Sequence, residues 1–522
     1  MSRLFLFNHS QQSDLTYVYW RYKHTLPLKK AIVIGSGFAG LSAAACLAQE
    51  GAEVTLLEKN DVPGGRCRHF TAEGFFFDMG PSWYWMPEVF EHFFNRFGKK
   101  VSDFYELKRL DPSYRILYKN DEIRVPASLE ELYELFEKLE PGSSKNLKKF
   151  LDEAGYKYKV GMEEFVFKPS YSIREFMEWR VIKSLFQLQM FSSVSSQIRK
   201  YFKNELLIQL LEFPVLFLGA TPQRTPALYS LMNYADLALG TWYPMGGMHE
   251  IIKAMVSVAE EQGVKIKLGE EVRKIDVKNG KATAVITDKG TYEADVVISG
   301  ADYHHTEQQL LEPQYRNYSE KYWDSRVMAP SSLLFYLGVD GKIPGLLHHN
   351  LFFDADFEEH AVEIYEKPAW PKEPLYYVCA PTVTDPSVAP EGKENLFVLI
   401  PLAPDLEDTE EKREEYFNIV MDRFEKRVGF PVREKLIYKR SFAHRDFKND
   451  YHAFKGNAYG LANTLLQTAF LKPKLNNKHV SNIFYTGQLT TPGPGMPPSI
   501  ISGQVVASEI SKKFTLKNAA GS

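Results

Sequence analysis

The sequence predicts an α/β fold with a parallel sheet at its centre, and three observations lead to that prediction. Residues 31–34 are a short apolar run of the kind that forms a buried parallel strand. Residues 41–50 are rich in alanine, are typical of a helix, and end at Gly51. A second apolar run, residues 53–57, stops at Glu58. Strand, helix and strand in this order predict a βαβ unit, whose two strands lie parallel in one sheet.

The turn between the first strand and the helix carries three glycines in G-x-G-x-x-G spacing, at Gly35, Gly37 and Gly40. Gly35 allows the tight turn, Gly37 lets a pyrophosphate approach the backbone, and Gly40 lets helix and strand pack closely. The helix N-terminus adds free N–H groups and the positive end of its dipole. Glu58 can accept hydrogen bonds from a ribose and repels a 2′-phosphate. This pattern predicts a Rossmann-like site for FAD or NAD, with a plain glycine turn as the alternative.

A glycine pair and an arginine, Gly64, Gly65 and Arg66, begin six residues after Glu58. They resemble the second signature of FAD-dependent oxidoreductases of the amine oxidase and phytoene desaturase type, in which the backbone and the arginine run beside the phosphates, and this resemblance implies a flavin dinucleotide. A simple turn is the alternative interpretation. The predicted nucleotide-binding residues of this region are Gly35, Ser36, Gly37, Ala39, Gly40, Glu58, Lys59, Gly65 and Arg66.

Composition limits the class of protein. The 522 residues suffice for two or three domains. The chain has 63 basic and 66 acidic residues, and this balance argues against nucleic acid as a main partner. Aromatic residues make up 14% of the chain, which suits an extended apolar ligand, although an aromatic-rich core would give the same figure.

We expect no metal site. The histidine pairs His304-His305 and His348-His349 are adjacent, and neighbours on a strand point to opposite faces. The cysteines show no metal-ligand or redox spacing, which favours a reducing compartment and no structural disulfides. The cysteines are Cys46, Cys67 and Cys379.

The middle of the chain has a different character. Residues 173–218 combine apolar and aromatic stripes with basic residues, a pattern that can lie in a membrane interface or pack on its own domain. Both interpretations remain open. No run of eighteen uninterrupted apolar residues occurs, so no membrane span is predicted. Residues 1–28 match neither a signal peptide nor a transit peptide, and we expect them to be disordered, like the tail at 516–522.

A second glycine-rich site stands near the C-terminus. A short predicted strand ends at Gly487, a loop of glycine and proline runs through Gly495, and a helix begins at Pro497. A helix N-terminus aimed at a flavin ring would stabilise negative charge as the ring is reduced. A terminal strand and helix without a ligand is the alternative.

These motifs together resemble the carotenoid desaturase family of FAD-dependent oxidoreductases, most nearly its bacterial phytoene desaturase type. The resemblance covers about residues 30–514 and rests on AIVIGSGFAGLSAA, PGGR, FFFDMGPS, WYPMGG, ISGAD and TTPGPGMP. It implies an FAD-binding domain of the amine oxidase type with a mixed-sheet substrate domain. It also implies further cofactor-binding residues at Gly80, Pro81, Ser82, Val272, Gly300, Gly487, Gly495 and Met496.

The resemblance implies that double bonds are inserted into phytoene or a related C40 polyene. One carbon would lose a hydride to flavin N5 and its neighbour a proton, with oxygen or a quinone as the final acceptor. It offers Asp152 as the proton acceptor, and a solvated helix acid is the other interpretation. The expected location is the cytoplasm, peripherally on the inner face of the cell membrane. A hydroxycarotenoid desaturase, an FAD amine oxidase and a non-catalytic isoprenoid-binding protein remain alternatives.

The same reasoning predicts how the chain is divided. The FAD-binding domain would comprise 29–100, 241–305 and 446–515, the substrate domain 101–171 and 306–445, and a helical membrane or substrate region 172–240.

Overall fold

The computed structural model describes residues 30–170, 192–216 and 218–519. The predicted disordered extension at 1–28 and the part of the predicted membrane segment at 173–191 lie outside the described residues. At the other end, the expectation of an unstructured tail is wrong as far as Ala519, because the last helix continues to that residue. Neither glycine nor proline occurs between Gly503 and Ala519 to end the helix.

The chain combines alternating strands and helices with runs of consecutive strands or consecutive helices. In chain order the strands are β1 (Lys30–Ile34), β2 (Glu53–Leu57), β3 (His69–Ala72), β4 (Phe75–Asp78), β5 (Leu107–Arg109), β6 (Tyr114–Tyr118), β7 (Glu122–Val125), β8 (Trp242–Pro244), β9 (Lys265–Lys267), β10 (Val272–Lys278), β11 (Lys281–Thr287), β12 (Thr291–Glu293), β13 (Val296–Ser299), β14 (Ser331–Val339), β15 (His349–Phe353), β16 (Tyr376–Cys379), β17 (Glu394–Leu402), β18 (Leu436–Phe442) and β19 (Ile483–Tyr485). The helices are α1 (Phe38–Gln49), α2 (Pro87–Asn95), α3 (Leu129–Leu139), α4 (Ser143–Val160), α5 (Val194–Ile198), α6 (Glu205–Leu216), α7 (Leu231–Leu237), α8 (His249–Glu261), α9 (Tyr303–Gln309), α10 (Glu320–Asp324), α11 (Phe357–Tyr365), α12 (Glu410–Val428), α13 (His444–Tyr451) and α14 (Met496–Ala519).

A five-stranded parallel sheet has the order β19-β13-β1-β2-β9, and it contains the predicted βαβ unit. Its strands come from three distant parts of the chain. Because all of them run in the same direction, their carboxyl ends meet at one edge of the sheet. The residues that follow those ends include Gly35, Glu58, Gly300 and Gly487.

Helix α14 packs against α1 on this sheet. The Ser42 hydroxyl donates to the Ile500 carbonyl at 2.8 Å. At Gly503 the two helices come so close that an added Cβ would lie 2.4 Å from the Ala39 carbonyl oxygen. The last helix of the chain therefore supports the first one.

The seven-stranded sheet has the order β18-β14-β17-β16-β15-β6-β7, and its strands are antiparallel except for the β15–β6 pair. Side chains alternate between its two faces, as a strand requires. Along β14, Leu333 and Phe335 pack in the core with Phe417 and Phe424 of α12. Leu334 belongs to the larger core on the opposite face.

Helix α6 lies within residues 173–218, for which a membrane contact and packing on the same domain were both possible. Its residues are apolar on nearly all sides and its side chains are largely buried, as in Leu207, Leu210 and Phe213. A helix that is apolar all round is buried, either in a protein core or in a membrane. Because most side chains of α6 are covered by the protein itself, the structure favours packing on its own domain over a membrane contact at 205–216. Among the described residues, no helix combines the length and the apolar character that crossing a bilayer would require.

Candidate functional site

A cavity of about 560 Å³ lies at the carboxyl edge of the five-stranded sheet and reaches the inner face of the seven-stranded sheet. The predicted cofactor-binding residues line it, with the exception of Ser36 and Gly40. Those on the cavity wall are Gly35, Gly37, Ala39, Glu58, Lys59, Gly65, Arg66, Gly80, Pro81, Ser82, Val272, Gly300, Gly487, Gly495 and Met496.

The glycines of the first turn have different surroundings. An added Cβ on Gly40 would lie 1.9 Å from the Gly35 carbonyl oxygen, so Gly40 is required by the packing of the turn itself. An added Cβ on Gly37 would meet no protein atom within 4 Å. The protein therefore leaves space over Gly37, at the N-terminus of α1, which is where a helix dipole favours a phosphate.

Glu58 is buried, and its carboxylate is held from two sides. One oxygen accepts the Ser36 N–H at 2.8 Å and the Ser36 hydroxyl at 2.7 Å. The other accepts the Asn60 N–H at 3.0 Å and its amide at 2.8 Å. Ser36 thus lies behind the cavity wall and positions the carboxylate that faces the cavity.

The substitution Glu58→Gln is expected to weaken FAD binding by about 10- to 100-fold, because a hydrogen bond to a charged group contributes about 1.5–3 kcal/mol. Titration of the deflavinated protein with FAD, followed by flavin fluorescence, measures the change. Glu53→Gln is the matched control, since Glu53 is an exposed residue of the same strand that pairs with Lys265. Equal affinities in the two variants would contradict a role for Glu58 at the ribose.

Arg66 presents an incompletely paired cation to the same part of the cavity. Its Nη2 donates to the Asn457 carbonyl at 3.4 Å and its guanidinium lies 5.1 Å from the centroid of the Tyr451 ring, but its buried Nε has no hydrogen-bond partner among the described residues. Burial lowers the pKa of this guanidinium, while Asp302 acts in the opposite sense. A charge removed from water is costly unless it is fully paired, and a phosphate would complete the pairing. The residues present therefore fit FAD, whose pyrophosphate would be held by the α1 N-terminus, Gly65 and Arg66.

An aromatic wall continues from the nucleotide end of the cavity. Trp83 lines the cavity, and its ring centroid lies 5.6 Å from that of Tyr377 and 5.9 Å from that of Phe213. Trp85 also lines the cavity, and Tyr84 is fully buried. These three neighbouring aromatic residues therefore belong to the cavity wall and the core.

Trp85 is fixed by a buried polar chain. Its Nε1 donates to the Thr241 hydroxyl at 2.9 Å, and that hydroxyl donates to Asp236 at 3.3 Å. The Tyr114 hydroxyl donates to the other oxygen of Asp236 at 2.7 Å. Burial raises the pKa of Asp236 to about 7, although the hydrogen bonds from Tyr114 and Thr241 oppose the change.

The substitution Asp236→Asn is expected to change how stability depends on pH. Because the folded-state pKa of Asp236 lies above the ordinary value of 3.8, its favourable contribution is complete below about pH 4 and is lost as the pH rises through about 7. Relative to the parent protein, the variant should therefore gain about 2 kcal/mol of unfolding free energy between pH 5 and pH 8. Urea unfolding at both pH values measures it. A difference that stays constant with pH would contradict the shifted pKa.

The structure does not support Asp152 as a proton acceptor. Asp152 lies on α4 with an exposed side chain, and it is not one of the described residues that line the cavity. The same helix reaches the cavity through Tyr158. Six residues separate the two, which is a rotation of about 240° around a helix, so Asp152 points away from the cavity and this prediction is wrong.

Several polar residues at the nucleotide end escaped the sequence analysis. Asp302 follows β13 in the chain, and an acid after a strand was a signal that could have identified it. The stacking of His305 on His452, with ring centroids 3.9 Å apart, has no such signal because the two segments meet only in the folded protein. These lining residues are Glu270, Glu271, Asp302, His305, Asp450, Tyr451 and His452.

The second histidine pair also differs from expectation. His348 and His349 are both buried, and their ligand atoms and the Cys379 sulfur lie within 4.8 Å of one another. The expectation that the pair would point to opposite faces was wrong because β15 begins at His349, so His348 lies outside the pleat. Burial lowers the pKa of His348 to about 3 and that of His349 well below its usual value, so both rings are neutral at pH 7.

Comparison with known proteins gives a consistent result. Residues 38–511 match the model of the flavin-containing amine oxidoreductases. The chain is 41% identical over 477 residues to the carotenoid 3,4-desaturase of Haloarcula japonica, covering 91% of this chain and 96% of the relative. It is 32% identical over 492 residues to the zeta-carotene-forming phytoene desaturase of Myxococcus xanthus, covering 92% and 94%. An oxidoreductase from Methanosarcina mazei has a similar fold, with a TM-score of 0.63 at 19% identity over 92% of this chain and 100% of that one.

Proposed function

The chain belongs to the carotenoid desaturases within the flavin-containing amine oxidoreductase family, and from this premise we propose that it desaturates the C3–C4 bond of a carotenoid. The C3–C4 bond is supported by the higher identity to the Haloarcula japonica 3,4-desaturase, which is 41%, against 32% for the Myxococcus xanthus phytoene desaturase. Phytoene is the second candidate substrate, because the latter relative matches 92% of this chain.

The observation that carries the proposal is the shared cavity. One end is formed by the glycine turns and Arg66, and the other by the inner face of the seven-stranded sheet. A carotenoid hydrocarbon has no polar group, so its binding free energy comes from burial of apolar surface at about 25 cal/mol per Å². The residues available for that burial include Leu334, Leu351, Phe353, Phe397 and Leu399.

Desaturation removes one hydride and one proton from neighbouring carbons. Bound FAD supplies the two-electron acceptor for the hydride. The protein would bind and orient both the cofactor and the substrate. Glu58 and Arg66 would hold FAD, and the aromatic wall around Trp83 would hold the polyene beside it. We propose that the electron pair passes on to oxygen or a quinone, which takes up both hydrogens and gives hydrogen peroxide or a quinol.

The test uses the FAD-loaded protein with liposomes that contain either lycopene or phytoene. Each polyene is tested twice, once in air and once without oxygen but with an added quinone. The expected result is a product two mass units lighter than lycopene, with the new double bond at C3–C4 by NMR. Conversion of phytoene alone would favour the second candidate. If neither polyene reacts while simple amines are oxidised, the proposed function is wrong.

We also propose that the protein docks on the inner face of the cell membrane through a leucine patch, defined as Val327, Leu466 and Leu471. Leu466 is 78% exposed, which is unusual for a large apolar side chain. The patch is held together by Gln467, whose amide exchanges hydrogen bonds with the Val327 backbone at 3.0 and 2.8 Å.

The leucine patch adjoins the cavity. Thr468 hydrogen-bonds at 2.9 Å to the hydroxyl of Tyr229, a lining residue. The Asn463 N–H donates to the Leu218 carbonyl at 2.8 Å, and both of these residues line the cavity. A membrane contact here would place the bilayer beside the site that receives an apolar substrate.

The double substitution Leu466→Glu and Leu471→Glu is expected to reduce binding to anionic liposomes by at least about tenfold, since burying one leucine side chain contributes about 1.5–3 kcal/mol. Liposome flotation measures it. Val383→Glu is the matched control, because Val383 is 48% exposed but lies in another segment. Unchanged flotation of the double variant would exclude this surface.

A further inference from the structure

A buried group of three metal-ligating side chains lies where β15 begins and the neighbouring strand β16 ends, inside the seven-stranded sheet. His349 opens β15 and is paired in register with Cys379, the last residue of β16. His348 precedes the strand, and its ring centroid lies 4.5 Å from that of His349. The three residues are between 0% and 4% exposed.

The ring nitrogens of both histidines are arranged as in metal ligands. His349 Nδ1 lies 2.6 Å from the Tyr377 hydroxyl, which donates its own proton to the Ser82 hydroxyl at 3.0 Å. In the tautomer whose Nδ1–H donates to this hydroxyl, Nε2 of His349 carries a lone pair. His348 Nδ1 lies 2.8 Å from the Thr384 hydroxyl. In metal sites the second ring nitrogen of a ligating imidazole usually donates to an acceptor that fixes the ring, and these two hydroxyls can accept such a hydrogen bond.

The burial of the two Nε2 atoms is not explained by hydrogen bonds within the protein. Both are buried, and neither has a hydrogen-bond partner among the residues that the structure describes. The hydroxyl of Tyr243 is likewise buried with no partner in the described part of the chain, and the Tyr243 ring centroid lies 4.5 Å from that of His348. Unpaired polar atoms in a core indicate an absent ligand, such as an ion or a water molecule.

We propose that His348, His349 and Cys379 bind one thiophilic cation with a filled d shell, either Zn²⁺ or Cu⁺. Two imidazoles and one thiolate are the donors that these ions prefer. One ring nitrogen of each histidine and the Cys379 sulfur lie no more than 4.8 Å apart, so some point lies within about 2.8 Å of all three atoms. Typical Zn–N and Zn–S distances are about 2.0–2.3 Å, so the side chains need to close in by at most about 0.5–0.8 Å.

The surroundings leave room for a fourth ligand. A small cavity of about 20 Å³ is lined by Tyr243, His348 and Cys379, and about 10–15 Å³ is enough for one water molecule. Binding of the ion converts the Cys379 thiol to a thiolate and releases one proton to solvent. No electron is transferred in this step.

A bound ion would stiffen one wall of the large cavity. The His349 ring stacks on Trp83 at 4.0 Å with an interplanar angle of 10°, and its partner Tyr377 lies beside Ser82. Trp83, Tyr377 and Ser82 all line the cavity. The ion would act on these residues through His349 and would not touch the substrate.

The test uses the FAD-loaded protein after treatment with a chelator. Zn²⁺ is added to one sample, and Cu⁺ is added to another under anaerobic conditions. After the excess metal is removed, elemental analysis measures the bound metal per chain. We expect about one equivalent per chain of at least one ion, with a higher thermal-unfolding midpoint. X-ray absorption at the metal edge should show one sulfur and two imidazole ligands, a readout that needs no variant.

The variants Cys379→Ser and His348→Gln should lose the bound metal while they keep their flavin. Cys67→Ser is the matched control, because Cys67 is also a buried cysteine but lies outside the group, and it should keep the metal. Less than about one tenth of an equivalent with both ions would overturn the proposal and leave a water-filled polar pocket. Sulfur-free coordination, or full binding by Cys379→Ser, would overturn it as well.

Discussion

The substitution Gly37→Val is expected to give a folded protein that has lost its flavin. Gly37 has φ −70° and ψ 174°, a conformation that valine adopts without strain. Its added Cβ meets no atom of the described residues within 4 Å, so the valine side chain starts in the open space above the α1 N-terminus. If that space holds the pyrophosphate, FAD binding should weaken at least about a hundredfold, or about 2.7 kcal/mol.

Two measurements separate the cofactor effect from a folding effect. The ratio of absorbance at flavin and protein wavelengths reports bound FAD, and circular dichroism with the unfolding midpoint reports the fold. Gly290→Val is the matched control, because Gly290 is exposed and its added Cβ also meets nothing within 4 Å. A yellow Gly37→Val variant would show that the phosphates lie elsewhere. A variant that does not fold would contradict the open space.

Sequence reasoning predicts those residues of the site whose positions are set by short local motifs. The turn at Gly35, Gly37 and Gly40 and the acid at Glu58 sit at fixed offsets within one βαβ unit, and Gly35, Gly37 and Glu58 line the cavity. Glycine spacing and strand ends are set by backbone sterics and sheet direction, which act over few residues. The parallel sheet and its carboxyl edge follow from the same pattern.

Features that depend on a helix face or a distant partner did not follow from the sequence. Asp152 and Tyr158 belong to one helix, and only the packing of α4 shows that Tyr158 faces the cavity. The approach of Cys379 to His349 depends on the register of β15 and β16, which no local motif determines. The burial of α6 likewise became clear only when its neighbours were in place.

The substitution Gly503→Ala is expected to destabilise the protein, although the same change within a helix usually stabilises it. Alanine has a helix propensity about 1 kcal/mol better than that of glycine. At Gly503, however, an added Cβ would lie 2.4 Å from the Ala39 carbonyl oxygen and 2.8 Å from the Ala43 nitrogen. Both are backbone atoms of α1 that cannot move without moving the helix, so the sign of the effect should reverse.

The expected loss is about 1–3 kcal/mol or more, the usual cost of overpacking a core. Flavin retention should fall with it, because α1 carries the turn on which the cofactor binds. Gly161→Ala is the matched control: its backbone is helical, and its added Cβ would only make an ordinary contact with Leu231 at 3.7 Å. That control should be neutral or slightly stabilising. An increase in the unfolding midpoint of Gly503→Ala, like that expected for Gly161→Ala, would contradict the tight contact between α1 and α14. It would also contradict the role of that contact in supporting the turn on which FAD binds.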